Sequence, residues 1–251
     1  RESKSFMLFN EGSECIKEIR VPRNSEQSIL IPNVWNICWR NIFCTQNVFK
    51  PENIENDFFI RIGFDFDPEQ LGRGKVLISE PFMSDPNFNR SVVLLTEYTK
   101  EEGAFGFILN KPTDLLMSDI MKEFPDVEFP FHYGGPVDPE NLFFIHTVSD
   151  LVEDSRPILD DLHWSGDFDT LKSLISMGKV DPSDLKFFGG YSGWGEGQLE
   201  EELSEHSWII ADVNVEQIMN NDHEELWKNS LKKMGSKFSI MANFPENPGL
   251  N

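Results

Sequence analysis

Along the chain, apolar and polar positions alternate in short runs that arrive in pairs. Lys75–Glu80 (KVLISE) and Ser91–Thr99 (SVVLLTEYT) are rich in β-branched residues, and this pattern predicts strands. Between them Asp85-Pro86-Asn87 reads as a turn, with proline preset for its second position. Ala104–Asn110 predicts a third strand that stops at Lys111-Pro112, and Phe58–Phe66 alternates loosely enough for an edge strand. Asp114–Phe124 shifts to helical spacing, with Thr113 as its cap and Leu116, Ile120 and Phe124 on one face. Phe131–Val137 and Leu142–Val148 flank Asp138-Pro139-Glu140-Asn141, a type I turn sequence, which predicts a hairpin.

The second half continues in the same manner. Phe168–Met177 predicts a helix with Asp167 as cap and Gly178 as stop. Leu185–Tyr191 predicts a strand running into a glycine-rich turn, Gly193 to Gly197, followed by a helix over Gln198–His206 and a strand over Trp208–Asp212. The last helix opens on the capping pair Asp222 and Glu225, points Trp227, Leu231 and Met234 inward, and ends at Gly235. Paired strands with helices between the pairs predict an α+β fold rather than a doubly wound parallel sheet.

Composition changes the picture at the front. Residues 1–50 hold all three cysteines, no Asp and no His, with seven basic and five acidic side chains, and their apolar positions follow no period for long. Residues 1–55 are therefore expected to be an appendage, either without a functional site or not native to the domain that follows, with 56–251 as a single domain. The odd cysteine count gives no disulfide framework or zinc pattern. With no leader-like or membrane-length apolar run, a cytoplasmic protein without membrane partners is expected. Residues 51–251 carry a formal charge of −23, which repels phosphate backbones and predicts no direct nucleic-acid partner.

Several stretches together resemble the AlgH/YqgE family. They are Gly74–Pro81, Asp85 through Val93, Gly103–Pro112, Tyr133–Val137, Leu142–His146, Gly190–Leu199 and Leu226–Gly235, in collinear order over the C-terminal part of the chain. The resemblance implies a mixed, branched β-sheet with a small barrel-like part and helices packed outside. It also implies a cytosolic bacterial protein. Members are often labelled transcriptional regulators, and the resemblance implies no single biochemical activity or cofactor. Residues 1 to about 55 match nothing in that pattern.

The candidate chemistry is sparse. Strand, Gly193-x-Gly195-x-Gly197, helix is a phosphate-cradling order, but Glu196 and Glu200–Glu202 oppose an anion there. Ser192 misses the nucleophile-elbow register by one residue. The five histidines, His132, His146, His163, His206 and His223, have no metal-ligand spacing, and the acidic pairs near Asp65 and Asp160 lack a calcium-loop register, so no metal is expected. Arg90, Asn110, Gly135, Tyr191 and Trp194 fall at loop ends and glycine turns, where binding clefts gather. The expected function is a non-catalytic regulatory or interaction module, acting indirectly on transcription by binding a protein or small molecule. The alternative is a hydrolase using Ser192 or a carboxylate with a histidine.

Overall fold

The computed structural model describes residues 3–9, 15–22, 67–220 and 223–244. The chain divides into two compact units, one of 1–55 with 244–251 and one of Asn56–Asn243. In the first, β1 (Ser3–Phe9) and β2 (Cys15–Pro22) pair antiparallel, with a register shift at Leu8/Phe9. This hairpin forms where the apolar pattern gave no period. The predicted edge strand Phe58–Phe66 lies outside the described residues.

The second unit is built on a ten-stranded sheet. Its strands are β3 (Val76–Ser79), β4 (Val92–Thr99), β5 (Gly103–Ile108), β6 (Pro112–Leu116), β7 (Pro130–Tyr133), β8 (Val137–His146), β9 (Arg156–Leu159), β10 (Leu162–Trp164), β11 (Leu185–Trp194) and β12 (Trp208–Ala211). The main path runs β12-β3-β4-β5-β11-β8-β10-β9, with β6 and β7 branching off. All pairs are antiparallel except β7 with β11.

The branch point is β11. Its first half pairs with β8 and β7, Phe187 lying opposite both Phe144 and Phe131. Its last residues pair with β5, Ser192 opposite Gly106 and Trp194 opposite Ala104. The register against β8 shifts between Gly189 and Tyr191, where Gly190 takes φ 70°. A residue with positive φ in a strand is a bulge, and glycine takes it without a Cβ penalty. The bulge resets the side-chain alternation, so Phe188 and Tyr191, three residues apart, both turn to the same interior.

That interior is aromatic. Phe105 and Phe107 of β5, Phe143 of β8, Trp164 of β10, and Phe188 and Tyr191 of β11 form a continuous set of rings. Centroids stand 4.5 Å apart for Phe105–Tyr191, 4.8 Å for Phe107–Phe188, 5.0 Å for Phe105–Trp164 and 5.6 Å for Phe107–Phe143. Strands β4 to β9 curl around these rings as the barrel-like part, but the sheet stays open. An Arg156–Glu97 ion pair at 3.1 Å spans the gap from β9 to β4, and both partners are too exposed for it to contribute much.

Helices cover the outer faces. α2 (Phe168–Ser176) is capped by Asp167, which accepts from the Asp169 amide, and ends before Gly178 at φ 65°. It packs Leu171, Leu174 and Ile175 against Phe144 and Phe187, the outward neighbours of Phe143 and Phe188. α3 (Gln198–Ser204) places Leu199 and Leu203 on Leu77, Val93, Leu95 and Trp208. α4 (Val215–Met219) is capped by Asn214, and α5 (His223–Lys233) buries Trp227 and Leu231, leaving Met234 half-buried beyond its end. Gly235 at φ 112° then leads into α6 (Ser236–Met241). Asp222, the predicted cap, lies outside the described residues.

Two predicted elements are replaced. Asp114–Phe124 is not one helix: Pro112–Leu116 is strand β6, and only Met117–Ile120 forms a short helix, α1. Tertiary pairing overrides local spacing here. The Thr113 hydroxyl donates to Phe131 O at 2.6 Å and the Met117 amide to Phe129 O at 2.9 Å, which ties the segment to β7. Met117 and Phe124 are buried, whereas Ile120, expected inward, is 45% exposed. The predicted hairpin is also absent. β8 continues through Asp138–Asn141, with Asp138 at φ 46°, but its partner is β11 rather than β7, and these four residues fall at the register shift opposite Gly190. The turn residues are absorbed as an irregularity between two stretches of ladder, Val137 and Leu142–His146, whose other half lies far away in sequence. The predicted helix over Gln198–His206 also stops two residues early, at Ser204, and His206 adopts φ 62°.

Phe107 is fully buried among the interior rings. Its truncation to Ala should lower unfolding free energy by about 3–5 kcal/mol in urea titration; a change below about 1 kcal/mol would contradict the packed aromatic interior.

Candidate functional site

A groove of about 810 Å³ opens where the β4–β5 hairpin meets the end of β11. Glu97, Tyr98 and Thr99 of β4 and Gly103 to Phe105 of β5 line it from one side, Tyr191 and Gly193 to Gly195 from the other, and Arg73 and Val137 also contribute. The hairpin brings the two sides together because Gly103 sits at φ 88° with no side chain. A Cβ there would meet Trp194 O at 2.1 Å. Tyr191 lays its ring along its own strand over Gly193, where a Cβ would come within 2.9 Å of the ring, and stacks against Phe105. The half-buried Tyr191 and Phe105 thus join the interior rings to the groove.

Behind the groove, carboxylates expected to crowd the helix start are turned inward. Glu202 Oε2 accepts from both indoles, Trp194 Nε1 at 2.9 Å and Trp208 Nε1 at 2.7 Å, while Gln198 Nε2 donates to its other oxygen at 2.9 Å. The Tyr98 hydroxyl donates to Glu200 Oε1 at 2.7 Å. Burial first, then that bond and the charge of Glu200, push the Tyr98 phenol up to about 12. The Gly195 amide donates to Gln198 Oε1 at 3.1 Å, so the glycine turn already satisfies an amide that a phosphate would need. Gly193 and Trp194 belong to β11, which leaves the turn shorter than the sequence pattern suggested.

The five sequence-predicted residues separate. Tyr191 and Trp194 line the groove, Trp194 as a buried ring whose indole is held by Glu202. Arg90 and Asn110 stand elsewhere as a clamp. Asn110 Oδ1 accepts from the Val92 amide and its Nδ2 donates to Arg90 O, both at 2.8 Å. The Arg90 guanidinium lies 4.8 Å from the Trp227 ring centre, docking the turn onto α5. Gly135 lets the chain pass β11, since a Cβ there would lie 2.3 Å from the Tyr191 carbonyl.

The groups a hydrolase would need have other partners. Ser192 is fully buried and donates to Gly134 O at 3.1 Å. His146 Nε2 faces Ser165 O at 3.0 Å and the Ser155 hydroxyl at 3.1 Å, and that hydroxyl donates to Val152 O. An Nε2 that donates to a carbonyl cannot act as base toward the serine beside it. Asp167 is occupied with capping α2, and its bonds from Thr170 hold its carboxyl below the usual range.

One association had no sequence signal. His132 of β7 and His223 at the start of α5, far apart in the chain, bring their Nε2 atoms to 3.3 Å. Buried Lys186 stands in the same region of the fold, donating to Asn220 O at 3.2 Å. A smaller cavity of about 380 Å³ lies nearby, with Val76, Val92, Ile210, Leu226 and Met234 in its lining.

The AlgH-like family model matches residues 76–239, which span this whole arrangement from β3 to α6. The chain belongs to the AlgH-like family. A UPF0301 protein of Cytophaga hutchinsonii is 47% identical over 182 residues, 72% of this chain and 100% of that protein. One from Bacteroides fragilis is 45% identical over 71% of this chain and 91% of its own length. Among solved structures, the solution structure of AlgH from Pseudomonas aeruginosa is similar with TM-score 0.56 and 26% identity, covering 73% of this chain and 99% of that one. A crystal structure of protein DIP2367 from Corynebacterium diphtheriae shares the fold at TM-score 0.57 and 19% identity, over 72% and 96% of the two chains. The α+β fold with a branched, open sheet described for this chain is consistent with that of AlgH.

The Tyr98 pair makes a spectroscopic prediction. A phenol raised in the folded state contributes stability below its unfolded pKa, near 10, and loses it as pH rises toward about 12. Ultraviolet titration should show one tyrosine ionising late, and Glu200→Gln should move it back toward 10. An unchanged titration in that variant would show that Glu200 has no part in the shift.

Proposed function

We propose that residues 56–251 form a non-catalytic, cytoplasmic interaction module that binds a protein segment or small molecule in the groove beside Tyr191, and that any effect on transcription is indirect. The observation that carries this reading is an open groove walled by half-buried aromatic side chains, while Ser192, His146 and Asp167 are engaged in internal hydrogen bonds. Volume and mixed lining suit a small-molecule or peptide side-chain site. Charge supports the indirect role. A surface at −23 over residues 51–251 loses the counterion-release term that drives duplex binding. The cytoplasmic assignment rests on the acidic balance, on the cysteine pattern, and on the lack among the described residues of any helix long and apolar enough to cross a membrane.

Two measurements test the reading. In a low-salt gel shift the full chain should leave duplex DNA unshifted at micromolar concentration; tight retention would defeat the indirect role. In a thermal-shift screen of metabolites and peptides, compounds that stabilise the wild type should lose that effect in Tyr191→Ala. Retention of every such shift in the variant would remove the groove as the binding site.

A further inference from the structure

Among the described residues, the cavity of about 380 Å³ shares no lining residue with the groove. It lies between α5 and the β12 edge of the sheet, and its closed end is apolar: Val76 of β3, Val92 of β4 and Leu109 just after β5 are at most 2% exposed. Ile210 of β12, Leu226 of α5 and Met234 just beyond it extend that wall, each half-buried. On α5, Trp227 and Leu231 form the stripe that fills the core, while Leu226, Ser230 and Met234, four residues apart, form the adjoining stripe that borders the cavity. Ser230 is the smallest of the three, so at its level the helix sends no bulky side chain toward the sheet. Protein interiors hold few voids larger than a water molecule, whose share of liquid volume is about 30 Å³. A cavity of this size is in the range of small-molecule sites.

We propose that this cavity binds a small uncharged amphiphile, an apolar chain or ring against Val76, Val92 and Leu109 with a hydroxyl or amide head among Gln217, Asn229 and Ser230. These three polar residues also line the cavity, Asn229 exposed and the other two half-buried, and they make up its open end. Asn229 and Ser230 can each donate and accept. Gln217 accepts the Asn214 amide through Oε1 at 3.2 Å and keeps its nitrogen for donation. An uncharged head pairs with such groups in either sense, while the apolar body removes the buried wall from water.

Charge opposes an ionised ligand. Among the described residues two charged side chains border the cavity, Asp212 and Lys233, and both are exposed. Lys75 pairs with Asp212, and Lys233 lies in the last turn of α5, where a cation complements the carbonyl end of the helix. Neither belongs to the buried end, so a carboxylate or ammonium drawn inward would lose its hydration against apolar walls. The net charge of −21 further opposes anions.

1-Octanol is the probe, titrated into the full chain and followed by carbon-13 methyl NMR. Saturable shifts are expected at Val76, Ile210 and Leu226, with octanoate and octylammonium binding at least tenfold more weakly. Ser230→Leu, which fills the space from the helix side, should weaken octanol binding at least tenfold, with circular dichroism confirming that the variant folds. Tyr191→Ala should leave octanol binding unchanged, which separates this cavity from the groove. No saturable shift at those methyls, equal binding of either ionised analogue, undiminished binding in folded Ser230→Leu, or loss of binding in Tyr191→Ala would overturn the proposal. The octanol titration and the head-group comparison need only the wild type, so they decide even where Ser230→Leu does not fold.

Discussion

Strand β11 has to serve two parts of the sheet, and the bulge at Gly190 is what allows it. Before the bulge, Phe187 faces α2 and Phe188 faces the aromatic interior, while the backbone pairs with β7 and β8. After it, Tyr191 returns to that interior and Ser192–Trp194 pair with β5. An unbroken period of two would send Tyr191 to the opposite face. The groove would then lose the ring that connects it to the core.

The same strand explains how a surface this acidic coexists with a dense interior. Carboxylates near the end of β11 are not all solvated. Glu202 gathers two indole donors and Glu200 takes the Tyr98 hydroxyl, so the start of α3 is fastened to β4, β11 and β12 through polar bonds around Trp194 and Trp208. A buried indole without an acceptor costs about 1–3 kcal/mol, which gives these glutamates a structural role that net charge does not reveal. The remaining carboxylates set the long-range field.

Around α5, polar groups carry a comparable load. Trp227 donates to Ser79 O at 2.9 Å and lies under Arg90, which Asn110 holds by its carbonyl. These bonds explain Arg90 and Asn110 more fully than a cleft would. The histidine pair at the helix start adds a further polar link, between α5 and β7, with the two Nε2 atoms 3.3 Å apart.

The sequence alone determined the α+β class, most strand positions, the caps of α2 and α3's approximate place, because β-branched runs, Asp167, Gly178 and the glycine turn act within a few residues of themselves. Its motifs also carried the family likeness, and its composition set the strongly acidic balance. Only the tertiary structure decided that Asp114–Leu116 is strand, that Asp138–Asn141 does not join β7 and β8 as a hairpin, and that Tyr191 and Trp194 share a groove while Arg90 and Asn110 do not. The reason is range. Strand pairing, the bulge at Gly190 and the meeting of His132 with His223 are set by partners tens of residues away, whose contacts leave no period or spacing in the local sequence.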